Sequence, residues 1–278
     1  MPFIYIKRGG DNMGSFNALD FVFDDISSHT YGLRIYNFGD SSPFHGTGSS
    51  DVNIISQRVL RKAKPYFLGR SQEPSLEFEL TFGTENSISG MDRDIISAWL
   101  FGRAEYKKLY IIQPDLNGAY FNCFMTKPQP IYIGNLNYAF SCTVVCDSPF
   151  AYSPLKTVSG SFTGGGVVDH DVDVYNYSSD DDYLYPIITF GLNAVGDSFS
   201  LTNITDSSRE FLFEDLQPNE EITVDNDLQT ITSSTGDLRL SNFNKNWLRF
   251  LPKKNSLNIS SGIGTFEITY RERWKIGG

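Results

Sequence analysis

Cysteine is scarce in this chain. There are three, at positions 123, 142 and 146, and three thiols cannot all pair with one another. A disulfide scaffold of the kind that organises small secreted domains is thereby excluded. Histidine is as rare, and His29, His45 and His170 stand far apart with none in an HExxH frame. This argues against a zinc hydrolase. Basic residues are outnumbered, with 23 Lys and Arg against 33 Asp and Glu for a formal charge of −10. Phosphate-backbone binding draws its affinity from clustered cations, so no sequence-specific nucleic-acid partner is expected. No apolar run approaches the roughly 20 residues that span a bilayer, so membrane insertion is not expected either. The opening MPFIYIKRGG lacks the ordered regions of a signal peptide, and the expectation is a soluble chain made in a cytoplasm.

Aromatic residues are abundant, with 22 Phe and 15 Tyr in 278 residues. A chain of this length suits two ordinary domains or one large one, and buries roughly three quarters of its unfolded surface. Period-two alternation recurs along it and predicts a mainly β protein. In Leu76–Phe82, Leu76, Phe78, Leu80 and Phe82 share one face. Between Tyr138 and Asp147 the alternation places Cys142 and Cys146 on the face of Tyr138, Phe140 and Val144, with Ala139, Ser141, Thr143 and Val145 on the other. Free thiols on such an apolar face are read as structural rather than metal-binding. One segment departs from this pattern. Ser89-Gly90-Met91-Asp92 resembles a capping box, and Ile95, Ile96, Trp99 and Leu100 follow at helical spacing with Gly102 beyond. A single amphipathic helix over about 91–101 is expected.

From about 40 to 74 the chain changes character. A turn-rich stretch is followed by SQRVLRKAKPYFLGRSQEP, which carries Arg58, Arg61, Lys62, Lys64 and Arg70 without clean periodicity. This reads as a long arm rather than a core strand. The prolines of Asp147-Ser-Pro-Phe-Ala-Tyr-Ser-Pro154 cannot sit in a central ladder, so a domain boundary is placed near 152, giving domains 1–152 and 153–278. Residues 1–152 hold 13 basic and 15 acidic side chains, net −2, and residues 153–278 hold 10 and 18, net −8. The second half alternates short strands with turn clusters, as in an antiparallel, jelly-roll-like sandwich.

Little in the chain resembles reactive chemistry. Asp169, Asp171, Asp173 and Asp180 imitate part of a calcium loop, but Val174 occupies the position that needs glycine. Gly164-Gly165-Gly166 lacks the Lys-Ser/Thr of a phosphate loop, and no GxSxG occurs. Glu220 and Glu221 follow Pro218-Asn219 and read as a solvent-facing hairpin rather than a glycosidase pair. Sequons at Asn176, Asn203 and Asn258 carry little weight without a secretion signal. No catalytic, metal or cofactor residue is assigned, and the chain is not expected to be an enzyme. Trp247, beside Phe250, could stack on a sugar ring, against the plainer reading that it fills the core or an interface.

Several segments, taken in order, resemble the distal tail protein of bacteriophages with long non-contractile tails. They are Phe21-Val-Phe-Asp-Asp-Ile-Ser-Ser-His-Thr-Tyr-Gly-Leu33, Pro74-Ser-Leu-Glu-Phe-Glu-Leu-Thr-Phe82 and Cys146-Asp-Ser-Pro-Phe-Ala-Tyr152 in the first half. In the second half they are Tyr185–Phe190, Asn203–Thr205, Glu221–Asn226 and Asn244–Arg249. The resemblance implies two β-sandwich-like domains, the first with one helix and the second galectin-like. It also implies a hexameric ring that joins the tail tube to tail-tip, baseplate, tail-fibre or receptor-binding proteins. Such a protein resides at the virion tail tip and in the host cytoplasm during assembly. In that setting Arg58, Arg61, Lys62, Lys64 and Arg70 are read as a subunit-bridging or partner-binding element. The alternative is a carbohydrate-binding adhesion module that touches the host cell wall through Trp247.

Overall fold

The computed structural model describes residues 20–36, 52–72, 75–162, 170–193, 198–261 and 263–275. The chain is mainly β and divides into two compact units, one holding the chain up to Tyr152 and the other Ser153–Trp274. Among the described residues there is one α-helix, and no helix is long and apolar enough to cross a membrane.

The strands of the first unit are β1 (Phe21–Phe23), β2 (Ile26–Ser27), β3 (Arg34–Ile35), β4 (Val52–Gln57), β5 (Tyr66–Gln72), β6 (Glu77–Gly83), β7 (Lys107–Ile111), β8 (Phe121–Ile133), β9 (Leu136–Cys146) and β10 (Ala151–Tyr152). Seven form one antiparallel sheet in the order β2-β1-β7-β8-β9-β6-β3. Three strands separate β1 from β6, yet the Phe21 and Phe82 rings lie 5.5 Å apart between centroids. The sheet must therefore curl over itself, which makes the unit sandwich-like. The register of β8 against β9 shifts at Thr126/Gln129 and Ile131/Tyr132, with Lys127 at φ 51°. Bulges of this kind bend a strand and raise its twist.

The alternation of Leu76–Phe82 holds, with Leu76, Phe78, Leu80 and Phe82 all buried. On β9, Phe140, Cys142, Val144 and Cys146 are buried as expected, whereas Ala139, assigned to the outer face, is buried too. A close backbone approach accompanies it, since a Cβ on Gly83 would stand 2.5 Å from the Tyr138 carbonyl oxygen and 2.6 Å from the Ala139 Cβ.

The helix α1 (Gly90–Phe101) begins where the sequence predicts. The Ser89 hydroxyl oxygen accepts from the Asp92 backbone N–H at 3.2 Å, and the hydroxyl donates to the Asp92 carboxylate at 2.7 Å. Ile96, Trp99 and Leu100 face the core, and the Trp99 indole N–H donates to the Phe23 carbonyl at 3.0 Å. Ile95 is the exception in the expected apolar set: it lies on the outer side and is exposed.

The strands of the second unit are β11 (Lys156–Phe162), β12 (His170–Asn176), β13 (Ile187–Leu192), β14 (Phe199–Asn203), β15 (Arg209–Phe213), β16 (Glu221–Asp225), β17 (Thr230–Ser233), β18 (Lys253–Ser261), β19 (Gly264–Tyr270) and β20 (Arg273–Trp274). The first nine of these build a five-stranded sheet, β11-β19-β13-β16-β17, and a four-stranded sheet, β12-β18-β14-β15, with antiparallel pairing throughout. Alternate residues of both sheets form a single apolar core, in which Phe190 of one sheet stacks on Phe199 of the other at 4.0 Å. Aromatic pairs between the two sheets add to the area term that drives the sandwich together.

Candidate assembly interface

The basic arm expected from the sequence is a β-hairpin. Its lack of clean periodicity does not prevent strand formation, because Val52, Ile54, Ile55, Tyr66 and Phe67 are β-branched or aromatic and favour extended backbone. Ile55 pairs with Gly69 and Ser56 with Phe67, so Leu68 is an extra residue on β5 and interrupts the alternation. The connection turns where the Lys62 N–H donates to the Val59 carbonyl at 3.1 Å and Arg61 adopts φ 70°.

Neither β4 nor β5 pairs with a third strand among the described residues. A lone hairpin is marginal in water, and this one carries a large uncovered apolar surface. Leu60 is 89% exposed, Ile54 72% and Phe67 68%, with Ile55, Tyr66 and Leu68 also open. Arg58, Arg61, Lys62 and Lys64 stand exposed in the connection. Arg70 lies in β5, though its side chain is outside the described set, as are residues 37–51 and 73–74 of the expected arm. Val52–Gln72 holds these five cations and no acid. Lys62 lies 4.8 Å over the Tyr66 ring and donates to its hydroxyl. Isolated apolar side chains on a surface are ordinary, but a contiguous patch marks an interaction site.

The other predicted residues are dispersed. Trp247 is half-buried and packs edge-on against Phe243 at 4.9 Å, at the margin of the second unit's core. The three thiols are free and buried in the first unit, and Cys123 stands opposite Cys146 across β8 and β9. Burial pushes Cys142 and Cys146 up to about 12, and Cys123 is raised further, with neighbouring acids adding to the effect. Such thiols are inert. Among the described residues no group of His, Cys, Asp and Glu is placed to hold a metal. Asp169, His45 and the Gly164–Gly166 run lie outside the described residues. Asp180 is a buried partner of Arg273 at 2.8 Å. Asn176 and Asn203 are also buried, each donating through its side-chain amide to a backbone carbonyl.

Glu220 corrects the sequence reading. Glu221 faces solvent, but Glu220 is only 2% exposed. Its two carboxylate oxygens accept from Arg239 at 2.7 and 2.8 Å, and the Gln217 N–H donates to it at 2.9 Å. Burial alone would raise this carboxyl, but Arg239, Ser233 and Gln217 outweigh it and hold the group below its ordinary value. The signal was obscured because Arg239 lies 19 residues downstream, beyond the Thr230–Ser233 strand.

Two family models cover most of the chain. One, described as a phage tail protein N-terminal domain, matches residues 16–148, and the other, a phage tail C-terminal domain, matches 150–270. The chain belongs to the phage tail protein family. The fold of this phage tail protein is that of the SPP1 Dit protein, whose structure is described as a paradigm of the hub adsorption apparatus in phages infecting Gram-positive bacteria. That likeness has a TM-score of 0.65 at 11% identity, covering 91% of this chain and 98% of the other. A chain of the phage P2 baseplate in its activated, calcium-containing conformation matches at TM-score 0.50 and 10% identity, covering 90% of this chain and 97% of that one. No curated protein sequence matches.

Proposed function

We propose that this phage tail protein is a structural hub. Copies close into a hexameric ring at the distal end of the tail tube, residues 1–152 forming the ring and residues 153–278, a galectin-like sandwich, presenting an attachment platform. The ring joins the tube to tail-tip, baseplate or receptor-binding proteins, and it is made in the host cytoplasm before residing at the virion tail tip. The observation that carries the reading is the cationic, apolar β4–β5 hairpin, which pairs with no third strand among the described residues. A ring needs a heterologous contact that closes by rotation, in which each copy offers one patch and receives its neighbour's. Such a hairpin suits the offered patch. The fold likeness to a hub protein over nine tenths of the chain agrees with it.

Light scattering behind size exclusion on the full chain tests this. A mass near six subunits is the expected outcome, falling towards the monomer in the Arg58→Glu/Arg61→Glu variant. A strict monomer at every concentration, or an assembly indifferent to both reversals, would overturn the reading.

A further inference from the structure

The hairpin needs a receiving face. We propose that it docks on the outer stripe of helix α1 in a second copy of this chain. This rests on the ring reading above and names its second half.

The helix is amphipathic towards its own core through Ile96, Trp99 and Leu100, and it also carries a second stripe. Met91, Ile95 and Ala98, at spacings of four and three, run along a stripe adjoining the buried one and are exposed, Met91 to 76%. A side chain as costly to hydrate as methionine or isoleucine gains by being covered, and none of the described residues buries these two.

Charge decides between the available faces. Outside the hairpin, the first unit exposes Tyr106 and Ile112 singly, at either end of β7, and two apolar groups of more than one side chain among the described residues. One is the β8–β9 tip, Ile131-Tyr-Ile-Gly-Asn-Leu136, which has no ionisable acid or base other than the tyrosine phenol. The other is the α1 stripe, which Asp92 and Asp94 flank, with exposed Glu85 preceding the helix. Of the nearby cations, Arg93 lies 3.5 Å from Asp94 and offsets one acid, and Arg103 binds Asp24 at 2.9 Å, so Glu85, Asp92 and Asp94 leave the stripe net negative. An apolar hairpin with five cations and no acid therefore meets its electrostatic complement on α1 and not at the β8–β9 tip. Complementary potentials of this kind set register and suppress wrong partners. Leu60 and Val59 would cover Met91 and Ile95, while Arg58 and Arg61 face Asp94.

Crosslinking tests the contact directly, because the three native thiols are buried and held protonated. In the full chain carrying Leu60→Cys and Ile95→Cys together, a short bismaleimide is expected to give a covalent ladder from dimer upwards. Either substitution alone should give none. Charge exchange supplies the second readout. Arg61→Glu and Asp94→Lys should each weaken assembly by about tenfold or more, and the combined variant should recover most of the loss. An assembly that forms and responds to Arg61→Glu, yet gives no ladder and ignores Asp94→Lys, would overturn docking on α1 while leaving the ring intact. A chain that never assembles would overturn both.

Discussion

The β4–β5 hairpin and the β6–β9 ladder lie a few residues apart in the chain and draw on the same apolar residue types, yet one is covered and the other is not. β6 places Phe78, Leu80 and Phe82 on one face, pairs with β9 and β3, and loses that face to the core. The hairpin exposes Ile54 and Ile55 as neighbours and Tyr66, Phe67 and Leu68 as a run. Successive residues in a strand point to opposite faces, so neither side of this hairpin is purely polar or purely apolar. A two-sided apolar hairpin that pairs with no third strand among the described residues does not complete a core.

The contrast can be broken at its two phenylalanines. Phe82→Ala, emptying a fully buried site that touches Phe21 and Phe140, should cost about 4 kcal/mol of stability in urea titration. A stability near that of the unaltered chain would show that the curled sheet is not the core described. The charged groups offer a second contrast, since the hairpin's cations are open while Arg239 is shut in with Glu220. Glu220→Ala leaves a buried guanidinium without its main partner and should destabilise the second unit by about 3 kcal/mol.

The same pair sets a pH dependence. Because the folded carboxyl of Glu220 sits below its ordinary value of 4.5, its contribution is complete above that value and is lost as pH falls through the lower, folded one. Thermal melts from pH 6 downwards should show the Glu220→Ala variant converging on the unaltered chain only as the pH falls below 4.5. A constant gap across that range would sink the assignment.

Smaller effects sharpen the comparison from the other side. Phe67→Ala, at an exposed position, should change monomer stability by no more than about 0.5 kcal/mol, while reducing the mass seen in light scattering. A large loss of stability would mean that the hairpin is packed within its own chain. The smallest expected effect is none at all: Cys123, Cys142 and Cys146 should resist maleimide at pH 8 until the chain unfolds. Rapid labelling of the folded chain would contradict their burial.

Much of this molecule is determined locally. The period of two in Leu76–Phe82 and in the strands of the second unit follows from the pleat, and the capping of α1 by Ser89 follows from a hydroxyl beside unpaired backbone N–H groups. Both could be read one segment at a time. The excess of cations at Arg58, Arg61, Lys62 and Lys64 was equally legible, since charge is a property of residues rather than of their arrangement. Three features required the tertiary structure. Glu220 is buried because Arg239 returns to it from a distant turn. Trp247 lies half-covered because Phe243 meets it at the edge of a core assembled from two sheets. The hairpin's exposure depends on which strands the sheet recruits. Period and charge act over a few residues, whereas burial, ion pairing and strand partnership are set by chain segments that meet only when the whole unit folds.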